Sequence, residues 1–355
     1  MPTEKSGPPR VGFASAIAGW RAHLCGMNLP IHSPDELVAA VPYVLGFKPE
    51  ESVVFLPLRA DLPSARIDLP TTPRQRDAAW EFIGSAFSRY ARPGSSVGIV
   101  CVTADREHGA REAQKFAARL DTIGIDTAVM LWADDAEWHD VYTGESGLQS
   151  DAAGVYVAGM ITENGRAAQV DSRQSLASSL VGDREPIARL LPEPREAAVS
   201  RTGRAEARSA VDRLQRFHAD GRALSDPEAA RLLLAIDSVP ICDRLWDDMN
   251  PSNAASHIAL WTDLTRRAPD DVRATRAALL GFASWLSGDG AKASCALDQV
   301  PRESRNPLAG LVAAAVETAM HPREWEAAKR IGQEANFATM QPGPQQRPTR
   351  SAPGL

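Results

Sequence analysis

Cysteine is scarce in this chain of 355 residues: Cys25, Cys101, Cys242 and Cys295 are all there are, and no two form a C-x-x-C pair. That excludes a zinc knuckle and a dense disulfide framework. Cys101 lies inside the apolar run 97–103, where a thiol behaves as a small buried hydrophobe. The expectation is a reduced, cytoplasmic protein. No run of 18 apolar residues occurs, which excludes a membrane-spanning helix. Charge of one sign is also lacking. The net charge is −6, so nothing marks a dominant nucleic-acid surface. With 44% apolar and 24% charged residues, the composition is that of an ordinary globular protein able to bury a core. The length fits about two domains.

The ends carry few structural signals. Lys5 and Arg10 precede a short apolar stretch, Phe13–Trp20, which Arg21 and His23 interrupt before any clean cleavage site. Residues 1–30 read as disordered, with the alternative that the start is Met27 and the first 26 residues are overrun. The tail 336–355 is rich in Pro, Gly, Gln and Arg and is too poor in apolar residues to offset its ordering entropy.

Order is expected from about Ile31. Ser33-Pro34-Asp35-Glu36 opens a helix, with Ser33 as N-cap and Pro34 at the first helical position. The helix is expected to be short, because Pro42 and Gly46 interrupt Leu37–Phe47. Ser52–Leu58 reads as a buried strand and Ala65–Leu69 as its hairpin partner. Thr72-Pro73 starts a helix whose Trp80, Ile83, Phe87 and Tyr90 form one apolar face. A strand at Val97–Thr103, a helix through Ala110–Leu120 and a strand at Ile125–Trp132 make a parallel crossover. One or two short strands and a helix from about Asp151 complete an α/β domain with a mixed sheet, residues 31–182.

Strand signals stop near Asp183. Successive helix faces follow: Ala207, Val211, Leu214 and Phe217; a capping box at Ser225–Glu228; His257, Leu260, Trp261 and Leu264; Val272 to Leu286; Leu308 to Val316. Residues 183–335 therefore read as an all-α domain, a helical bundle or a repeat-like array.

Three segments resemble a known family. Asp35–Val54 (DELVAAVPYVLGFKPEESVV) is similar to the opening signature of the bacterial domain of unknown function 4192, and Leu224–Ala235 and Ala283–Asp298 resemble its helical part. The resemblance implies no activity, substrate or catalytic residue. Relatives often carry cysteines after the third main strand, whereas Glu137–Asp151 here has none, so any metal or thiol chemistry based on them is lost.

The best candidate site lies at the carboxyl edge of the two parallel strands. Asp105, Glu107 and His108 follow one strand; Asp134, Asp135, His139 and Asp140 follow the other. Open α/β sheets bind ligands at such edges. Asp105, His108, Asp134 and His139 could act as acid–base groups, and Asp105, Asp134, Asp135 and His139 could hold a divalent metal, although no cofactor is required by any motif. The plainer reading makes Asp105 a helix cap, Glu107 a partner of the helix dipole and the rest solvated loop charges. Gly94–Gly98 matches G-x-S-x-G, but in the order helix, turn, strand, the wrong context for a nucleophile. Gly288-Asp289-Gly290 lies between helices and reads as a turn rather than a phosphate loop. The region 280–307 approximates one tetratricopeptide-type repeat, and only one copy is evident. The arginines of 184–216 are interleaved with acids, so nucleic-acid binding is unsupported. The expectation is a non-catalytic binding protein for a protein or small ligand; the alternative is a metal- or nucleotide-dependent enzyme working at the sheet edge.

Overall fold

The computed structural model describes residues 21–24, 27–59, 62–163, 170–191, 203–236, 238–301, 303–327 and 329. The tail 336–355 and residues 1–20, both expected to be disordered, lie outside them.

A six-stranded mixed sheet organises the first half, in the order β4-β3-β5-β6-β7-β8. Its strands are β3 (Ser52–Arg59), β4 (Ala65–Asp68), β5 (Ser96–Val102), β6 (Asp126–Ala133), β7 (Glu137–Asp140) and β8 (Ser146–Leu148). Only β5 and β6 pair in parallel, from Ser96 opposite Asp126 to Val102 opposite Ala133. The other pairings are antiparallel. The parallel pair is joined by helix α3 (Arg106–Thr122), as the strand–helix–strand pattern predicts. Helices α1 (Pro34–Leu45), α2 (Pro73–Tyr90) and α4 (Asp151–Glu163) complete this half.

Alternation along the strands distributes side chains to two faces. Val53 and Phe55 of β3, Ile99 and Cys101 of β5 and Met130 of β6 meet Ile83 and Phe87 of α2 and Phe116 and Leu120 of α3. Phe55 stands edge-on to Phe87 and Phe116, with ring centroids 5.7 and 5.5 Å away, so one strand residue anchors both helices. On the opposite face, Val54, Leu56, Val100 and Leu131 meet Leu37 and Val41 of α1 and Val157 and Ile161 of α4. Because both faces are covered, the central strands read in sequence as unbroken apolar runs.

The second half is helical: α5 (Arg173–Ser179), α6 (Glu185–Leu190), α7 (Gly203–Asp220), α8 (Asp226–Ala235), α9 (Val239–Asp247), α10 (Ala254–Arg267), α11 (Asp270–Leu286), α12 (Gly290–Leu297) and α13 (Pro307–Glu317). Among the described residues no strand occurs beyond β8 apart from the isolated bridge of Phe47 with Val170. The helical core joins the α1 side of the sheet in one apolar cluster running from Leu29 to Ala315. No break in that core marks the boundary expected near residue 183.

Two expectations need correction. Residues 21–30 do not lack structure throughout: β1 (Arg21–Leu24) and β2 (Met27–Pro30) pair as an antiparallel hairpin lying against β3, upstream of Ile31. And Pro42 does not break α1, which continues to Leu45 and stops at Gly46, held in the left-handed region at φ 76°. Seven of the twelve residues of α1 are buried, and that packing outweighs the one backbone donor that proline removes.

Candidate functional site

At the carboxyl edge of β5 and β6 the predicted residues are present but occupied locally. Asp105 caps α3, its Oδ1 accepting from the His108 N–H at 2.9 Å. The His108 ring nitrogen Nε2 lies 2.9 Å from the Pro70 carbonyl. Asp134 Oδ1 accepts from the N–H groups of Ala136 and Glu137, both at 2.8 Å, which closes the turn from β6 to β7. Asp135 pairs with Lys48 at 2.9 Å between largely exposed side chains. His139 Nδ1 contacts Ser146 Oγ at 2.8 Å. Burial, with the nearby Arg106 charge, pushes the His139 imidazole below its ordinary range, against the pull of Asp140. Asp140 itself is buried and accepts from the N–H groups of Tyr142 and Thr143. Glu107 is exposed and pairs with Arg111 one turn on. These residues share an edge, but no three of them gather ligand atoms within 4.8 Å of one another.

A larger feature lies between the two halves. A cleft of about 780 Å³ is walled by Leu45 of α1, Ile83 and Phe87 of α2, Trp285 of α11, Ala291 of α12 and Val316 of α13. Tyr90, at the end of α2, accepts from the His321 N–H through its hydroxyl at 2.9 Å, so the segment after α13 is tied to the α/β half. Three arginines stand on the wall, Arg66, Arg173 and Arg323, beside one acid, Glu317. Arg66 pairs with Asp68 at 2.7 Å and Arg173 with Asp298 at 2.9 Å, each pair having an exposed carboxylate.

The third feature belongs to the helical half and was not singled out as a site from sequence. His218 near the end of α7, Asp248 just past α9 and His257 in the first turn of α10 each offer a ligand atom within 4.8 Å of those of the other two. It is the one such group among the described residues. His257 is fully buried, and its Nε2 lies 3.6 Å from Asp248 Oδ2, beyond hydrogen-bond length. Its Nδ1 accepts from the Trp261 indole N–H at 3.3 Å. His218 Nδ1 contacts Ser256 Oγ. The Nε2 atoms of both histidines are buried without a hydrogen-bond partner. The rings stand edge to face with centroids 4.4 Å apart. Burial holds both imidazoles below their ordinary range, reinforced at His257 by the neighbouring His218 and opposed at each by Asp248. The His257 imidazole, pushed down to about 4, is therefore neutral near pH 7. Sequence reading recognised His257 only as part of a buried helix face. An imidazole on an apolar stripe was the available signal, but its partners come from two other elements with no motif spacing.

Among the described residues, no helix is long and apolar enough to cross a membrane. No curated protein and no solved structure matches the chain. One family does: the profile described as "Domain of unknown function (DUF4192)" matches residues 34–323, more than half of the chain, and the chain belongs to that family.

Proposed function

We propose that this chain is a non-catalytic, cytoplasmic binding protein, and that its ligand is a small amphipathic acid held in the cleft between the sheet and the helices. The cleft carries this reading. Its size lies within the range of small-molecule sites, its walls are mainly apolar, and its few charged groups stand where they could orient a ligand. Ion pairs of Arg66 and Arg173 with exposed carboxylates contribute little to stability, so exchanging one for an acidic headgroup costs little. The cytoplasmic reading is supported by free thiols at Cys101, Cys242 and Cys295, two of them buried. The enzyme alternative at the sheet edge gains less support, because one carboxylate oxygen of Asp105, one of Asp134 and the Nε2 of His108 are engaged in a cap, a turn and a backbone contact.

The tetratricopeptide-like hairpin belongs to the same proposal as scaffold. At Gly281 of α11, a Cβ would sit 3.5 Å from the Ala293 carbonyl oxygen and from Val312 Cγ1, so α11, α12 and α13 approach closely there. That packing supports one repeat-like hairpin serving as a cleft wall.

The probe is 8-anilinonaphthalene-1-sulfonate, an apolar aromatic anion. We expect saturable one-to-one binding to the folded chain, followed by fluorescence, and its loss in Ala291→Trp, which fills the cleft, with the circular dichroism spectrum unchanged. Failure of the native chain to bind, or equal binding by the folded variant, would defeat the proposal.

A further inference from the structure

We propose that His218, Asp248 and His257 bind one divalent transition-metal ion, with zinc as the type cation. This goes beyond the cleft and rests on different observations.

The donor set is the first. Two imidazoles and one carboxylate suit zinc and its first-row neighbours, whereas magnesium and calcium take oxygen-rich sets. The unpartnered Nε2 atoms are the second. A buried polar atom without a partner is unusual, and here two occur on the histidines of one cluster, His257 Nε2 lying beside the Asp248 carboxylate. His257 has no exposed surface, and the 3.6 Å between its Nε2 and Asp248 Oδ2 is too long for a hydrogen bond. It is close to the right spacing for two ligands of one ion. Zinc bonds of about 2.0–2.2 Å in a tetrahedron place ligand atoms about 3.3–3.6 Å apart.

The surroundings are those of a held site. Ser256 Oγ can accept from Nδ1–H of His218, the tautomer that leaves the Nε2 lone pair available. The side-chain amides of Asn250 and Asn253 donate to the Asp248 carbonyl at 3.1 and 2.9 Å, fixing the loop that carries the carboxylate. Asp248 is half exposed, so an ion can enter from solvent and keep a water as its fourth ligand.

Trp261 sets a condition. Its indole N–H donates to Nδ1 of His257, so in the metal-free chain the proton of that neutral imidazole sits on Nε2. Ligation through Nε2 requires the proton to move to Nδ1 by way of solvent, and Trp261 loses its acceptor. Leaving that fully buried indole N–H without an acceptor costs about 5- to 150-fold in affinity, still less than three metal–ligand bonds supply.

The test is calorimetric titration of the full chain, stripped with a chelator, with zinc chloride alone and with magnesium chloride alone. We expect one zinc bound per chain at micromolar affinity or tighter, no heat from magnesium, and a shift of the Trp261 indole N–H resonance on zinc addition. Asp248→Asn, at an exposed position, should fold normally and bind zinc at least tenfold more weakly; His218→Gln should do the same. Absence of one-to-one zinc binding, equal binding of magnesium, or unchanged zinc affinity in both folded variants overturns the assignment.

Discussion

Glu112 is an acid in an apolar layer, 1% exposed on the inner side of α3, and it survives there because Arg76 of α2 grips both carboxylate oxygens at 2.6 and 2.7 Å while Lys115 holds one at 2.9 Å. Burial alone would raise its pKa; the hydrogen bonds and charges of Arg76 and Lys115 more than reverse that, leaving the carboxyl below its ordinary value. A depressed folded value means stability present above the ordinary carboxylate range and lost as pH falls through the folded value. Arg76→Ala takes the bidentate partner from the buried carboxylate, leaving Lys115 on one oxygen, and should cost up to about 3–5 kcal/mol at pH 7 in chemical denaturation, whereas Arg76→Met with Glu112→Leu should recover most of it. The penalty of Glu112→Gln should shrink as pH is lowered below about 4, the ordinary carboxylate range. A penalty that stays constant across that range would show that the pair does not supply the acid sensitivity. At this same scale the sequence was least informative. It placed Asp105 and Asp134 at the correct edge, because strand ends fix position. It gave no sign of Arg76 with Glu112, or of His218 with Asp248 and His257, because each set joins elements far apart in the chain.

Helix α3 shows how an element is seated. Asp105 caps it, and its Gly109 lies so close to the sheet that a Cβ there would sit 2.9 Å from Thr103 Cγ2 and 3.0 Å from Trp132 Cδ1. Two effects compete in Gly109→Ala. Helix propensity gains about 1 kcal/mol. Overpacking against a β-branched residue and an indole costs about 1–3 kcal/mol. The clash should prevail, lowering stability, while Gly154→Ala in α4, where nothing lies within 4 Å of the added methyl, should gain up to about 1 kcal/mol. Thermal melts of the two variants decide it; a stabilised Gly109→Ala would mean that α3 can retreat from the sheet. Elements with strong periodic signals, such as β3, β5, β6, α2 and α3, were legible because packing and pattern agree. The hairpin of β1 and β2 was not, being four-residue strands beside polar neighbours, nor was α9, whose nine residues are too few for periodicity to register.

The two halves share a core, and that determines how the whole molecule should unfold. From Leu56 of β3 and Leu37 of α1 the apolar cluster runs without interruption to Leu232 of α8, Trp261 of α10 and Leu279 of α11. Strand signals in the sequence stop near residue 183, and the last strand among the described residues, β8, ends at Leu148, which is why pattern suggested two domains. Burial crosses that point. Helix α1 covers one face of the sheet and shares its apolar cluster with the helical half, so melting of that half would uncover α1 side chains, each forgoing about 1.5–3 kcal/mol of burial, and loosen that face. We therefore expect one cooperative transition in denaturant, with far-ultraviolet dichroism and tryptophan fluorescence coincident. Leu56→Ala in the sheet and Leu279→Ala in the helices, both fully buried, should each cost about 2–5 kcal/mol and move that same transition by the same readouts. If Leu279→Ala instead splits the curve, leaving dichroism from a sheet that melts later, the halves are separate folding units and the cleft between them is an interface able to open.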